Sequence, residues 1–315
     1  ELKKITTEKG IHSTQISPNH KFILDQYSNS KTPGITQLIN LENFKTNLIH
    51  ESEKPVENYS IGKTEKVKIT NSNNDELYGR LIKPLNFDEN KKYPVLIYVY
   101  GGPHAQLVKN NWLNGASLWM YWMAEQGYLI FTIDGRGSEN RGFEFESSIF
   151  RNLGVNEMKD QITGLDYLKS LNYVDSNRVA LHGWSYGGFM TTSLMTQYSN
   201  LFTCGVAGGP VIDWKWYEIM YGERYMDKPK DNIEGYRSSS LINHAKNLDG
   251  NLLLIHGTND DVVVMQHNLA FIEKCIKEDK QVDFFPYPMH KHNVRGKDRV
   301  HLMEKVLNYV LVNNK

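Results

Sequence analysis

From Glu65 onward, short apolar runs rich in β-branched residues are separated by stretches with helical spacing, and few folds accommodate that order. "EKVKIT" and "LYGRLIKP" face each other as a hairpin around Asn71 to Glu76, and "YPVLIYVY", "YLIFTID", "RVALHG", "CGVAGG", "NLLLIHG" and "VDFFPYP" follow as buried strands. In "NEMKDQITGLDYLKSL", Met158, Ile162, Leu165 and Leu168 recur at the spacing of a helix that turns one face to a core. Strands alternating with helices predict an α/β fold with a mostly parallel sheet covered by helices on both faces. In such sheets chemistry gathers at the carboxyl ends of the strands.

One strand end stands out. "RVALHGWSYGGFM" runs apolar, stops at Ser185 between Gly183 and Gly187, and resumes as a helix over Phe189 to Gln197. A serine on a tight strand-to-helix turn has its hydroxyl pushed out above the sheet, and flanking glycines are needed because a Cβ there would clash. That is a nucleophile elbow. A Gly-rich turn whose serine only caps the helix would leave the same signature.

A serine hydroxyl is a poor nucleophile until a base takes its proton, and the base needs a carboxylate to hold its tautomer and stabilise its charge. "LLLIHGTNDD" ends a strand with Asp260 and Asp261, and "YPMHKHNV" follows the last strand with His290 and His292. Serine, aspartate and histidine in that order, each just past a strand, is the hydrolase arrangement. One of the two aspartates, Asp261, is expected to cap the helix that begins near Val264. The two histidines could instead form a surface metal site, but no third ligand lies near them in the sequence. His104, His182 and His256 read as structural residues.

Acyl transfer also needs donors for a developing oxyanion. The amide of Tyr186, directly after the serine, is one. Tyr100 in "VYGGPHAQ" follows an early strand and offers a phenol, although an aromatic packed at a strand end would look the same. In "VIDWKWYEIMY", Trp214, Tyr217 and Tyr221 are spaced by three and four, one face of a helix, which is more often core than pocket.

Residues 12 to 50 have another character: four β-like runs, "HSTQI", "KFILDQY", "ITQLINL" and "KTNLIH", with turn signals between them, including Ser28 to Gly34. They resemble one blade of a β-propeller, which cannot bury its faces alone. Lys54 to Lys63 reads as a linker, giving a terminal part of a β-propeller over 1–58 and a catalytic domain over 59–315. The 315 residues allow a large core, and 36 basic residues balance 36 acidic ones. That balance provides no field for nucleic acid or an anionic membrane. The longest apolar stretch, Ser117 to Ile133, is broken by Glu125, Gln126 and Gly127, so no membrane segment is expected. Cys204 begins a strand and Cys275 lies in a helix, and both are expected as buried free thiols.

"VYGGPHAQ", "DGRGSENRG", "GWSYGGFM", "GGPVIDW", "YGERYM" and "HGTNDD", in that order over residues 60 to 315, closely resemble the catalytic domain of the prolyl oligopeptidase family in its dipeptidyl peptidase IV branch. Within that branch the chain is similar to bacterial prolyl tripeptidyl peptidases. The resemblance implies an α/β-hydrolase fold preceded by a β-propeller, of which residues 1–58 would be the remnant. The opening "ELKKITTEKG", without an initiator Met or signal peptide, fits a piece of a longer precursor.

The resemblance implies Ser185 as nucleophile, Asp260 as acid and His292 as base, with the Tyr100 hydroxyl and Tyr186 amide as oxyanion hole. It places a proline pocket at Tyr186, Val211, Trp214, Tyr217, Tyr221 and Val263, and it calls for no cofactor or metal. Glu218, next to Tyr217, is a candidate for holding the substrate's ammonium, with a surface pair to Arg224 as the alternative. Two positions depart from the branch. Val262 stands where an asparagine usually holds a substrate carbonyl, and Asn293 rather than glycine follows His292.

The expected activity is therefore a serine exopeptidase that cuts after proline, releasing X-Y-Pro units, with X-Pro release or a carboxylesterase as alternatives. A non-catalytic scaffold on a hydrolase fold is the rival from another class. Expected partners are peptides with a free amino terminus, with a homodimer as one arrangement and the periplasm or the exterior as compartment.

Overall fold

A computed structural model describes residues 3–315. Strands β1 (Ile11–Ile16), β2 (Phe22–Asn29), β3 (Thr32–Asn40) and β4 (Thr46–Glu51) form an antiparallel meander in chain order. The β2–β3 turn is tighter than Ser28 to Gly34. Asn29 Oδ1 accepts from the amides of Lys31 and Thr32, both at 3.0 Å, an Asx closure that reverses the chain in two residues. Only a thin interior forms, around Ile23, its register partner Ile39 and a buried Asp25 held by His12 and Gln37. β4 is exposed along its length. The Trp112 amide, donating to Ser28 Oγ at 2.8 Å, ties this sheet to the rest.

Residues 52–63 are irregular. Then follow β5 (Thr64–Thr70), β6 (Glu76–Ile82), β7 (Tyr93–Tyr98), α1 (Leu118–Glu125), β8 (Leu129–Asp134), α2 (Phe143–Ser147), α3 (Val155–Lys169) and β9 (Val174–Trp184). The remainder is α4 (Tyr186–Gln197), β10 (Cys204–Gly208), α5 (Ile219–Met226), α6 (Ile233–Ser239), β11 (Asn251–Gly257), α7 (Gln266–Lys277), β12 (Asp283–Tyr287) and α8 (Asp298–Asn313). The eight strands form one sheet in the order β12-β11-β10-β9-β7-β8-β6-β5. From β12 to β8 neighbours run parallel, and the β5–β6 hairpin joins antiparallel at the other edge.

Alternate strand residues enter opposite cores, as the period of two requires. Val95 and Ile97 face one core with Ala207 and Leu254, and Leu96 faces the other with Val206 and Leu253. Leu165 and Leu168 of α3, Phe189 and Leu194 of α4 and Phe271 of α7 seal the first core. Met120 and Met123 of α1 and Leu302 and Val306 of α8 seal the second. Burying each such side chain contributes about 1.5–3 kcal/mol. This is the mostly parallel, doubly covered sheet of the α/β-hydrolase fold. Among the described residues, no helix is long and apolar enough to cross a membrane. Cys204 begins β10 and Cys275 lies in α7, both buried and unpaired, with burial pushing their thiols up to about 12 and about 11.

Candidate active site

β9 ends at Trp184 and α4 begins at Tyr186, so Ser185 alone makes the turn, at φ 61° and ψ −117°. An L-residue adopts that backbone only when its surroundings hold it. The Ser185 amide donates to the Gly208 carbonyl at 2.7 Å, and the Ser185 carbonyl accepts from the Phe189 amide at 3.0 Å. A Cβ at Gly183 would fall onto the Gly187 carbonyl, and one at Gly187 onto the carbonyl of Val99. The helix therefore starts three residues earlier than Phe189, because Gly187 and Gly188 let its first turn press against the strand ends. Ser185 occupies the N-cap position, yet its side chain makes no capping hydrogen bond.

Asp260 lies just past β11 and His292 in the loop after β12. Asp260 Oδ2 is 2.7 Å from His292 Nδ1 and 3.3 Å from His256 Nε2, and Oδ1 accepts from the amides of Val262 and Val263, each at 2.9 Å. Burial opposes the charge on Asp260, but the hydrogen bonds from His256 and His292 outweigh it and hold the carboxyl far below the usual carboxylate range. An ionised Asp260 makes His292 Nδ1 the donor, which leaves Nε2 as the atom able to take a proton.

Backbone contacts bring this pair to the elbow. Trp184 Nε1 donates to the His292 carbonyl at 2.9 Å. Gly209, next to the Gly208 that binds the Ser185 amide, presents its Cα to the base: a Cβ there would lie 3.2 Å from His292 Cε1 and 3.7 Å from Asp260 Oδ2. Asp260 and His292 are thus paired and held beside the strand end that carries Ser185, while among the described residues the Ser185 hydroxyl makes no hydrogen bond to His292.

Neighbouring polar residues differ from expectation. Asp261 does not cap a helix. It pairs with Lys291 at 2.6 Å on the surface, while α7 starts at Gln266 with no side-chain cap, and the nearby amides go to Asp260. His290 pairs with Asp298 at 2.7 Å, so the two histidines serve different carboxylates. His256, set aside in the sequence, is fully buried against Asp260 and also reaches the Val263 carbonyl at 2.6 Å. Its place at a strand end, four residues before Asp260, was the available signal. Among the described residues no group of three or more His, Cys, Asp or Glu side chains is placed to hold a metal ion.

Tyr186 opens α4, where its amide has no intrahelical acceptor and remains available beside Ser185. Tyr100 is half-buried with its ring 6.2 Å from that of Tyr186. Gly102 is folded against both, since a Cβ there would sit 2.7 Å from Tyr100 Cε1 and 3.1 Å from Tyr186 Cγ. Burial and the neighbouring Tyr98 raise the Tyr100 pKa, so near neutrality it is a phenol able to donate.

The aromatics do not share one helix. Trp214–Trp216 is a single 3₁₀ turn capped by Asp213, which accepts from the Lys215 amide at 2.9 Å, and Tyr217 turns extended before α5 begins at Ile219. The rings converge regardless. Trp214 stacks on Tyr221 at 5.8 Å and meets Tyr217 edge-on at 5.6 Å, and Tyr186 lies 5.4 Å from Trp214. Trp214 is buried, whereas Tyr217 and Tyr221 are half-buried, and Val211 and Val263 belong to the same buried cluster. Glu218 is exposed at the start of α5, and among the described residues its side chain pairs neither with Arg224 nor with any other residue.

The profile of the prolyl oligopeptidase family matches residues 115–314. Dipeptidyl peptidase 8 of Homo sapiens is 34% identical over 309 residues, covering 94% of this chain and 34% of that protein. Prolyl endopeptidase FAP of Homo sapiens is 36% identical over 271 residues, covering 82% of this chain and 34% of that protein. The chain thus spans about a third of the length of these curated relatives. Among solved structures, dipeptidyl peptidase 4 of Porphyromonas gingivalis superposes with a TM-score of 0.94 at 31% identity, over 99% of this chain and 44% of that one. A structure assigned as a dipeptidyl aminopeptidase IV from Bacteroides ovatus also gives 0.94, at 50% identity over 97% of this chain and 44% of that one.

Proposed function

The chain belongs to the prolyl oligopeptidase family, and on that premise we propose that it is the catalytic part of a serine exopeptidase cutting after proline. The observation that carries this reading is the 2.7 Å Asp260–His292 pair pinned beside the Ser185 elbow. Ser185 Oγ attacks the proline carbonyl carbon while His292 Nε2 takes the serine proton. The oxyanion is met by the Tyr186 amide and the Tyr100 phenol. The C–N bond then breaks, and His292 delivers the proton to the leaving amine. Water repeats the sequence on the acyl-serine: its proton goes to His292 and on to Ser185, and the product leaves as a carboxylic acid. The cluster of Tyr186, Trp214, Tyr217, Tyr221, Val211 and Val263 is apolar, and its half-buried edge at Tyr217 and Tyr221 is read as the face that receives a pyrrolidine ring.

Glu218, exposed next to Tyr217 at the edge of that cluster, is read as one part of an anchor for the substrate ammonium. Val262, 43% exposed and two residues past Asp260, has no side-chain amide for a dipeptide carbonyl and gives its backbone amide to Asp260, which supports release of X-Y-Pro units. Release of X-Pro is the second reading, supported by the dipeptidyl peptidases among the relatives. The meander β1–β4 is read as one blade of a β-propeller on residues 1–58, with the catalytic domain on 59–315.

The test is kcat/KM for X-Y-Pro and X-Pro anilides, with acetylated X-Y-Pro as control for the amine. The proposal expects cleavage after proline, faster for X-Y-Pro, and little cleavage of the acetylated peptide. Faster X-Pro cleavage selects the second reading, equal cleavage of the acetylated peptide removes the exopeptidase reading, and hydrolysis of simple esters alone makes the chain a carboxylesterase.

A further inference from the structure

Glu157 has no part in the chemistry described so far. It is the third residue of α3 and only 1% exposed. Its Oε1 accepts from the Tyr186 hydroxyl at 2.6 Å and from the Gly154 amide at 3.0 Å. Oε2 is buried with no hydrogen-bond partner among the described residues. A half-satisfied carboxyl in the interior is costly. Capping does not require it, because a glutamate at this helix position can satisfy the Gly154 amide from the surface.

What the carboxyl touches accounts for its burial. Tyr186 follows Ser185, carries one of the two proposed oxyanion donors on its backbone, and packs its ring against Trp214 in the apolar cluster proposed to receive proline. From the other side comes Gly101, the residue after Tyr100. A Cβ on Gly101 would lie 3.8 Å from Glu157 Cβ. One side chain therefore abuts both segments that carry the oxyanion donors. Tyr221 of α5, and Asp160 with its ion-pair partner Arg136, are the other polar groups around it. Burial, more than any neighbour, raises Glu157 to about 7.

Resting on the peptidase reading above, we propose that Glu157 is a positioning residue. By fixing the Tyr186 phenol it sets the Tyr186 amide against the oxyanion and the Tyr186 ring against the apolar cluster, without touching substrate. Two arms of the catalytic constellation would otherwise depend on a single side chain free to rotate in a cluster of aromatics. Such sites work only when the residues behind them are locked.

The experiment compares wild type, Glu157→Ala, Glu157→Gln, Tyr186→Phe and the double variant Glu157→Ala/Tyr186→Phe. It reads the rate of Ser185 phosphonylation by a fluorophosphonate and the ratio of kcat/KM for X-Pro over X-Ala anilides, with the folded fraction checked by circular dichroism. Glu157→Ala and Tyr186→Phe should each slow labelling about ten- to a hundredfold and lower the Pro/Ala ratio about tenfold, and the double variant should be no worse than either. Glu157→Gln keeps an acceptor for the phenol and should stay within about threefold of wild type.

Wild-type rate and ratio in Glu157→Ala, losses that multiply in the double variant, or a Gln variant as damaged as the Ala variant would each overturn the proposal. If Glu157→Ala does not fold, Tyr186→Phe decides, since it deletes only the hydroxyl: unchanged rate and ratio there also overturn it. Labelled wild type with unaffected variants leaves the peptidase reading standing. An unlabelled wild type removes that reading and this inference with it.

Discussion

The indole of Trp184 donates a 2.9 Å hydrogen bond to the backbone carbonyl of His292. Trp184 is the last residue of β9 and directly precedes Ser185, so the loop carrying the proposed base is tied to the strand that carries the proposed nucleophile. The indole also covers Gly208, where a Cβ would run into its ring. One neutral hydrogen bond, worth about 1 kcal/mol, thus adds a direct tie between base loop and nucleophile strand to the Asp260 and Gly209 contacts. Trp184→Phe should lower turnover about five- to tenfold with KM little changed. Unchanged turnover would mean that other contacts hold the loop.

Tyr100→Phe removes one hydroxyl and keeps the ring packed. If that hydroxyl meets the oxyanion, turnover should fall about ten- to a thousandfold, with a smaller effect on KM. Steady-state kinetics on a proline anilide check this, and wild-type turnover would make Tyr100 a packing residue.

The buried carboxyl of Glu157 leaves a signature in stability. Burial raises it from 4.5 to about 7, so between those values the folded chain holds a proton that the unfolded chain has lost. Its contribution is therefore most favourable below pH 4.5 and declines as pH rises to about 7, by about 3 kcal/mol in all. Urea unfolding of wild type and Glu157→Gln should give curves that diverge across this window in favour of the glutamine variant. Parallel curves would show that Glu157 titrates normally.

Both thiols are buried, and burial holds them largely protonated at neutral pH. A thiol reagent should therefore react with Cys204 and Cys275 only after denaturation, and then with two groups. Rapid reaction of the folded chain would contradict the placement of one of them.

The sheet was legible because its strands are apolar on both faces. β8 and β10 are buried at every residue, which shows in the sequence as "CGVAG" and as "LIFTID", broken only by the buried Thr132 and Asp134. Ser185, Asp260 and His292 stood out as candidates because each follows a strand, and the structure pairs the last two. The continuous aromatic helix was not there: the three-and-four spacing of Trp214, Tyr217 and Tyr221 is a helical signal, and nothing in it records that Asp213 caps a 3₁₀ turn and ends it. Glu157 was missed for the opposite reason. Hydropathy assigns a glutamate to the surface, and only its tertiary contact with Tyr186 accounts for its burial.

Ser185 is proposed as a nucleophile activated by His292 and Asp260. Mass spectrometry of the chain after reaction with a fluorophosphonate tests it most directly, because the phosphorus centre needs no peptide-binding subsite. One adduct is expected, on Ser185, absent in Ser185→Ala. It should form orders of magnitude more slowly in His292→Ala and at near the wild-type rate in His290→Ala. An unlabelled Ser185, or a base deficit that follows His290 instead of His292, would contradict it.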